Sequence, residues 1–186
     1  MTTTTSNPTH VVIDANVIIA ICAKEVDKLA VANAQIRAYL SGGSRFFSPG
    51  VVISESLFVL CKKLENGELT PAEHQDAITA FIAFMGAVDP PAKGDRYLIR
   101  RAEDLRGTLS ARRSADGIYL ALAEELSAIA PTELVTFDSG MQAQANANSL
   151  SVPILVLKPS LPTSPNSPKM DARGRGITDS NSRRAG

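Results

Sequence analysis

The chain has 186 residues, 44% of them hydrophobic and 20% charged, which suits one domain of ordinary size with a tail. The net charge is zero, but Lys158–Gly186 holds six Lys/Arg and two Asp, so Met1–Leu157 carries a net charge of about −4. This balance argues against a nucleic-acid binder that depends on a broad basic patch, and 5% aromatic residues without Trp argue against one that works by base stacking.

The cysteines and histidines predict neither a zinc site nor a disulfide framework. Cys22 and Cys61 form no CxxC pair, and His10 and His74 are not spaced as zinc ligands. We expect two reduced, packed thiols in a cytoplasmic protein. No signal peptide is visible and no apolar stretch approaches the length of a membrane span, so we expect no association with a membrane.

The first predicted elements are a strand and two helices. Val11-Val12-Ile13 is a short β-branched run that ends at Asp14, which is typical of a buried parallel strand. Helical sequence follows over about Val17–Ala23. A second helix is predicted over Val26–Leu40, and Gly42-Gly43 is expected to end it. Its apolar positions are Val26, Leu29, Ala30, Ile36 and Leu40.

The middle of the chain predicts a short strand at Arg45–Ser48, followed by two helical segments. Ser48-Pro49 resembles a helix start, with Ser48 as the cap. The segment Val51–Leu64 is ambiguous, since its β-branched start also suits a strand. Thr70-Pro71-Ala72-Glu73 is a capping box that opens a helix to about Gly86.

The second half continues the alternation of strands and helices. Val88 suits another short strand, and Asp95–Leu109 a charged helix. Ser114 to about Ala130 is predicted as a helix. Its apolar positions are Ile118, Leu122, Leu126 and Ile129. Glu133–Phe137 predicts a strand that ends at Asp138, and a short helix and a last strand at Val152–Leu157 follow.

Strands that alternate with helices predict an α/β fold in three layers, α/β/α, with a central parallel sheet covered on both faces. We place this domain at residues 9–157. Residues 158–186 are rich in Pro, Ser, Gly and Arg and nearly free of large apolar side chains, so they are predicted to be a disordered basic tail.

Four acidic residues fall where such a sheet gathers its ligands. Asp14 and Asp138 each follow a strand, and binding sites form beyond the carboxyl ends of parallel strands. Asp116 lies in the first turn of its helix, where a negative charge is favoured. Glu55 lies on or beside the inward face of Val51–Leu60 if that segment is helical.

Taken alone, each of these residues has an ordinary explanation. Asp14, Asp138 and Asn16 can each cap a helix, Asp116 can be a favourable first-turn charge, and Glu55 can point to solvent. Together the four acids suggest a cation site, because clustered carboxylates repel one another unless a cation neutralises them. Oxygen ligands without nearby Cys or His favour Mg²⁺ or Mn²⁺.

The same segments resemble the PIN-domain family, and VapC-type toxin ribonucleases in particular. Val11–Ile19 is similar to the opening of a PIN domain, and Glu55 in Val52-Ile53-Ser54-Glu55 to its second acid. Ser114–Ala121, with Asp116, resembles the third motif. Leu134–Asp138 resembles the fourth, with Thr136 at a hydroxyl position two residues before the acid. The likeness covers about His10–Leu157, whereas the basic tail departs from compact toxins that end near their last strand.

The resemblance implies a metal-dependent endoribonuclease, the toxin of a type II toxin–antitoxin pair, that hydrolyses RNA through metal-activated water. Asp14, Glu55 and Asp116 are then the main ligands of Mg²⁺ or Mn²⁺, and Asp138 completes the site directly or through water. Asn16 and Thr136 orient the carboxylates. The resemblance also implies a small antitoxin that blocks the site, and a homodimer.

Two other readings stay open at this point. A phosphoaspartyl hydrolase or receiver domain needs a Lys after a strand to neutralise phosphate, and none is found before Lys158. A PIN-like fold can also be kept as a catalytically silent RNA-binding or assembly module.

Several further residues are noted with weaker expectations. Arg112-Arg113 suit either phosphate contact or a solvated pair, and the Arg residues of Asp95–Leu109 suit a solvated face. Tyr119 is predicted to be packed rather than catalytic.

Overall fold

The computed structural model describes residues 8–107 and 114–160, and its centre is a parallel five-stranded sheet. The strands lie in the order β3-β2-β1-β4-β5, and each neighbouring pair is parallel. In chain order the elements are β1 (His10–Ile13), α1 (Ala15–Cys22), α2 (Leu29–Ser41), β2 (Arg45–Phe47), α3 (Val51–Glu65), α4 (Pro71–Met85), β3 (Val88–Asp89), a 3₁₀ turn (Asp95–Tyr97), α5 (Ile99–Arg106), α6 (Ser114–Ser127), β4 (Thr132–Thr136), α7 (Ser139–Ala147) and β5 (Ile154–Val156).

Helices cover both faces of this sheet. Helix α1 packs against α2, α3 and α4, whereas α6 packs against β1, β4, α5 and α7. The central strand β1 is therefore enclosed, and Val11, Val12 and Ile13 are fully buried. Such a run of β-branched residues is what a strand buried on both faces requires. The predicted three-layer α/β/α fold with a central parallel sheet is confirmed.

The path of the chain creates a switch point between β1 and β4. From β1 the chain moves outward through β2 to β3, and it then returns to place β4 on the other side of β1. The two strands are in register, with Val12 opposite Leu134 and Ile13 opposite Val135. Helices that leave β1 and β4 diverge, so a crevice forms beyond their carboxyl ends. Asp14 and Asp138 lie at this crevice.

The second predicted helix begins later and presents a different face. It starts at Leu29 rather than Val26, and Val26 and Leu40 are 93% and 57% exposed. The buried face consists of Ala32, Ile36 and Tyr39. The residues before the helix form a turn, in which the Glu25 carboxylate is paired with Lys28 and Lys63. This turn removes Val26 from the helix and from the core.

The ambiguous segment after Pro49 is a helix, but Ser48 does not cap it. The Ser48 hydroxyl donates to the carbonyl of Ile13 at 2.5 Å. Instead, the Asp95 carboxylate accepts hydrogen bonds from the N–H groups of Gly50 and Val51, at 2.9 and 3.1 Å. A remote carboxylate thus satisfies the free donors at the start of α3.

The segment that contains Asp95 also differs from the predicted secondary structure. The segment predicted as one helix over Asp95–Leu109 is a 3₁₀ turn at Asp95–Tyr97 followed by α5. Arg112-Arg113 and the end of that predicted helix lie outside the described residues, as do residues 161–186 of the predicted tail.

The helix predicted from Ser114 to about Ala130 is shorter in the structure. Helix α6 ends at Ser127, so Ile129 lies beyond it and is 74% exposed.

The two cysteines are both free, but only one is packed. Cys22 is buried, whereas Cys61 is exposed on α3 with its Sγ 4.0 Å from Nε2 of His74. The expectation of two packed thiols is therefore wrong for Cys61, because the outer side of α3 faces solvent. Within residues 8–107 and 114–160, none of the helices combines the length and the apolar character needed to cross a membrane.

Candidate metal centre

Asp14 is the most enclosed acid at the switch point. It precedes the first turn of α1, but its side chain makes no capping hydrogen bond there, so simple capping does not explain it. Its Oδ2 accepts from Asn16 Nδ2 and from Thr136 Oγ1, each at 2.5 Å. Only 6% of the residue is exposed. The carboxylate is therefore fixed by donors from both sides of the crevice.

Asn16 and Thr136 connect β1 to the end of β4. Asn16 Nδ2 also donates to Thr136 Oγ1 at 3.0 Å, and its Oδ1 accepts from the N–H of Phe137 at 2.9 Å. The N–H of Asp138 donates to Thr136 Oγ1 at 2.9 Å. Each of these atoms is held by a partner, so the two side chains fix the relative positions of Asp14 and Asp138.

Two of the other acids lie on helices, and the third caps one. Glu55 is half-buried on α3, and its Oε2 accepts from the Tyr119 hydroxyl at 2.6 Å rather than pointing freely to solvent. Asp116 lies in the first turn of α6. Asp138 caps α7, since its Oδ1 accepts from the N–H of Gly140 at 2.7 Å. Of the two acids that follow strands, only Asp138 acts as a helix cap.

The negative charges of these carboxylates repel one another. The pKa of Asp14 is raised to about 7, chiefly by burial and also by the charges of Glu55 and Asp116, although the hydrogen bond from Thr136 lowers it. Burial and the charge of Asp116 also raise the pKa of Glu55, against the hydrogen bond from Tyr119. The fold thus holds carboxyl groups in a place that disfavours their ionised forms.

All four acids line one pocket of about 250 Å³. Its walls are formed by Asp14, Ala15, Asn16, Ile19, Glu55, Phe58, Val59, Asp116 and Asp138. Among the described residues, no three His, Cys, Asp or Glu side chains are already arranged closely enough to hold one metal ion. The chemistry of the donors nevertheless fits a hard divalent cation, because they are carboxylate oxygens whose mutual repulsion such an ion relieves.

Of the residues noted as weaker candidates, Arg101 and Arg106 form ion pairs on the surface, whereas Tyr119 contacts the pocket. Arg101 makes two hydrogen bonds to the Glu124 carboxylate, at 2.6 and 2.8 Å, and Arg106 pairs with Glu103. Tyr119 is packed as predicted, at 1% exposure, but its hydroxyl reaches Glu55. This contact was not predicted from the sequence, in which its one signal is the position of Tyr119 three residues after Asp116.

The comparisons with known proteins agree with this architecture. The family described as PIN domain matches residues 11–147. Among solved structures, the chain is similar to VapBC2 from Rickettsia felis bound to a DNA fragment from their promoter, with a TM-score of 0.51 and 12% identity. That match covers 79% of this chain and 98% of the other, and at this identity it shows the fold alone. None of the curated proteins compared matches the chain.

Proposed function

This chain belongs to the PIN domain family, and from that premise we propose that it is an endoribonuclease that depends on Mg²⁺ or Mn²⁺. The observation that carries the proposal is the meeting of Asp14, Glu55, Asp116 and Asp138, from four separate elements, around one pocket at the switch point of the sheet. A structural role alone gives no reason to collect four like charges, since each addition costs stability unless a cation is bound.

We assign the cation ligands to Asp14, Glu55 and Asp116, with Asp138 completing the site directly or through water. Asp14 is the central ligand, because it is the most buried of the four and is held by two donors. Asn16 and Thr136 orient it, and their bonds to Phe137 and Asp138 keep the β4 side of the crevice aligned with β1.

A bound divalent cation supplies activation of water and stabilisation of negative charge on the phosphoryl group. The protein's own groups set up the conditions for that chemistry. Because the pKa of Asp14 is raised to about 7, its carboxyl group would have to release a proton near neutral pH in order to hold a cation. The apolar side chains of Ile19, Phe58 and Val59 line the pocket beside the acids.

We further propose that the chain is the toxin of a type II pair, with a small antitoxin as its partner and RNA as its substrate. The neighbouring structure supports this, since it is a VapBC2 assembly bound to promoter DNA. The motifs around Asp14, Asp116 and Asp138 also support it, because they resemble those of VapC-type toxins. A homodimer and a cytoplasmic location remain predictions from the sequence.

The test is cleavage of total RNA by purified protein with Mn²⁺, followed by sequencing of the fragment ends. We expect defined ends that are lost in excess EDTA. Undiminished cleavage in EDTA would reject the metal-dependent mechanism. If no cleavage occurs but RNA still binds, the chain is instead a catalytically silent PIN-like RNA-binding or assembly module.

A growth experiment tests the toxin assignment separately. Expression of the chain alone should slow growth, and Asp14→Asn should relieve this effect. Equal toxicity of both forms would indicate burden or aggregation and would contradict the assignment.

A further inference from the structure

Tyr119 makes a hydrogen bond that joins two of the helices at the pocket. It lies on α6 three residues after Asp116, so the two side chains share one side of the helix. Its hydroxyl donates to Glu55 Oε2 at 2.6 Å, and Glu55 belongs to α3. A single buried hydroxyl therefore links α6, the helix that carries Asp116, to Glu55 on α3.

The surroundings of Tyr119 fix the direction of this bond. The ring is 1% exposed, and the hydroxyl oxygen lies 2.6 Å from Glu55 Oε2. An ionised carboxylate can only accept a hydrogen bond, so the hydroxyl proton is directed to Glu55.

Glu55 needs such a partner more than the aspartates do. Its longer side chain has more rotatable bonds, and holding it in one rotamer costs more conformational entropy. Asp14 is fixed by Asn16 and Thr136, and Asp138 by the N–H of Gly140. The hydroxyl of Tyr119 supplies the corresponding contact for Glu55. It engages Oε2 and so restrains the orientation of the whole carboxylate.

We propose that Tyr119 is a positioning residue that holds Glu55 in the orientation needed for cation binding. This inference rests on the proposed function, because it takes Glu55 to be a ligand. It differs from a packing role, which the ring alone fulfils. Loss of the hydroxyl should therefore weaken cation affinity even where the fold is intact.

The experiment compares Tyr119→Phe with Tyr39→Phe by titrating Mn²⁺ calorimetrically into each purified full-length variant. Tyr39 is a matched control, since it is 2% exposed and its hydroxyl donates to the Glu133 carboxylate away from the pocket. We expect Tyr119→Phe to lower the Mn²⁺ affinity about 10- to 100-fold, as is usual for groups that orient ligands, and Tyr39→Phe to leave it unchanged. Urea unfolding in EDTA measures the stability lost by each variant.

The outcomes separate the inference from the proposed function. If Tyr119→Phe binds Mn²⁺ as tightly as the wild type, or if both variants weaken binding equally, the positioning role is wrong. In a Glu55→Gln background, Tyr119→Phe should cause no further loss, because the hydroxyl acts through Glu55. A full additional loss would also overturn the inference. Wild-type protein that binds no Mn²⁺ would instead overturn the proposed function, and the inference with it.

A second measurement does not depend on the folding of Tyr119→Phe. The chain has three tyrosines, Tyr39, Tyr97 and Tyr119, so labelling with 3-fluorotyrosine gives three assignable ¹⁹F resonances. Titration with diamagnetic Mg²⁺ should shift the Tyr119 resonance with the midpoint of cation binding and leave the Tyr39 resonance in place. A Tyr119 resonance that does not respond to saturating Mg²⁺ would contradict the proposal.

Discussion

The two edges of the sheet each carry a pocket and a buried tyrosine bonded to a carboxylate, yet they differ in chemistry. At the amino-terminal edge, the pocket is about 740 Å³, and Glu133, paired with Tyr39, is the one acid among its lining residues. At the carboxyl-terminal edge, the pocket is only about 250 Å³ but is lined by four acids. The larger cavity offers space, whereas the smaller one gathers carboxylates whose mutual repulsion a bound cation would relieve.

This contrast indicates that the clustering of mutually repelling carboxylates, rather than cavity volume, marks the candidate site. At the amino-terminal edge the Glu133 carboxylate has a neutral donor as its partner. At the carboxyl-terminal edge the hydrogen bonds from Thr136 and Asn16 to Asp14 only partly offset its burial and the repulsion from Glu55 and Asp116, so the pKa of Asp14 is about 7. Proteins retain such conflicts where function requires them.

The largest expected effect is on cleavage by variants of the acids. Asp14→Asn, Glu55→Gln and Asp116→Asn should each reduce RNA hydrolysis by about 1,000-fold, since a metal ion contributes several kcal/mol of transition-state stabilisation. Asp138→Asn should be milder, because this acid can act through water. Single-turnover cleavage with Mn²⁺ measures the loss.

Glu133→Gln is the matched control for these variants, since it changes an acid at the other edge and leaves an acceptor for Tyr39. It should cleave at the wild-type rate. If all three ligand variants also kept wild-type rates, the assignment of the site would be wrong.

The second effect concerns the stability of metal-free protein against pH. Folded Asp14 binds its proton more tightly than the unfolded chain does, since its pKa is about 7 against an ordinary 3.8. The folded state therefore loses stability as the pH rises from about 4 to about 7, by up to about 4 kcal/mol, and levels off above that range. Asp14→Asn should flatten this slope. Urea unfolding in EDTA at pH 5 and pH 8 checks it, and identical slopes for both proteins would contradict the cause given for the raised pKa.

A smaller effect is expected at Gly117, next to Asp116. A Cβ there would lie 2.7 Å from the carbonyl oxygen of Ala102, so α6 packs against the backbone of α5 at this point. Gly117→Ala should destabilise the fold by about 1–3 kcal/mol through overpacking, although Gly→Ala ordinarily favours a helix. Chemical unfolding measures the change. A gain in stability would show that the two helices do not pack so closely.

The cap on α3 is expected to contribute less, about 1 kcal/mol. Asp95→Ala removes the carboxylate that binds the N–H groups of Gly50 and Val51, and it should also weaken Mn²⁺ binding slightly, because α3 carries Glu55. Thr70→Ala removes a cap on α4, whose residues do not line the pocket, and should lower the melting temperature without changing Mn²⁺ affinity. Equal effects of both variants on Mn²⁺ affinity would argue against a link from the cap to the site.

The smallest effect on stability is predicted for removal of the basic tail. Ser160 is the last described residue, and its N–H donates to the carbonyl of Asp27 at 2.6 Å, so the chain should be cut after this position. The melting temperature should remain nearly unchanged, because the sequence beyond it lacks a core-forming pattern. The affinity for RNA should fall at low salt and differ little at higher salt. Equal affinity and an equal salt slope would mean that the tail has no electrostatic role.

Much of the fold and three of the acids could be predicted from local patterns. The β-branched run Val11–Ile13 located β1, and Glu133–Phe137 was predicted as the strand that is β4. A general rule for parallel sheets then places ligand-binding residues directly after such strands, where Asp14 and Asp138 lie. Asp116 was accessible because a first-turn acid has a local signature. The buried face of α2 was not predictable in this way, since the turn around Glu25 depends on Lys63, which lies on another helix.

The contacts that complete the site are long-range, and their partners were not visible in the sequence. Tyr119 and Glu55 are 64 residues apart, and Asp95 caps a helix that begins 44 residues earlier. Tyr119 was correctly expected to be packed, but packing gives no information about where a hydroxyl points. These interactions arise only when α3, α5 and α6 are placed around the sheet.

The most direct test of the account is calorimetric titration of Mn²⁺ into wild-type protein, Asp14→Asn and Glu133→Gln. If the carboxyl-terminal edge is a cation site, the wild type and Glu133→Gln will bind Mn²⁺ saturably with the same affinity. Asp14→Asn will bind far more weakly, while its far-UV circular dichroism remains that of the wild type. Equal Mn²⁺ binding by all three proteins would contradict the central claim.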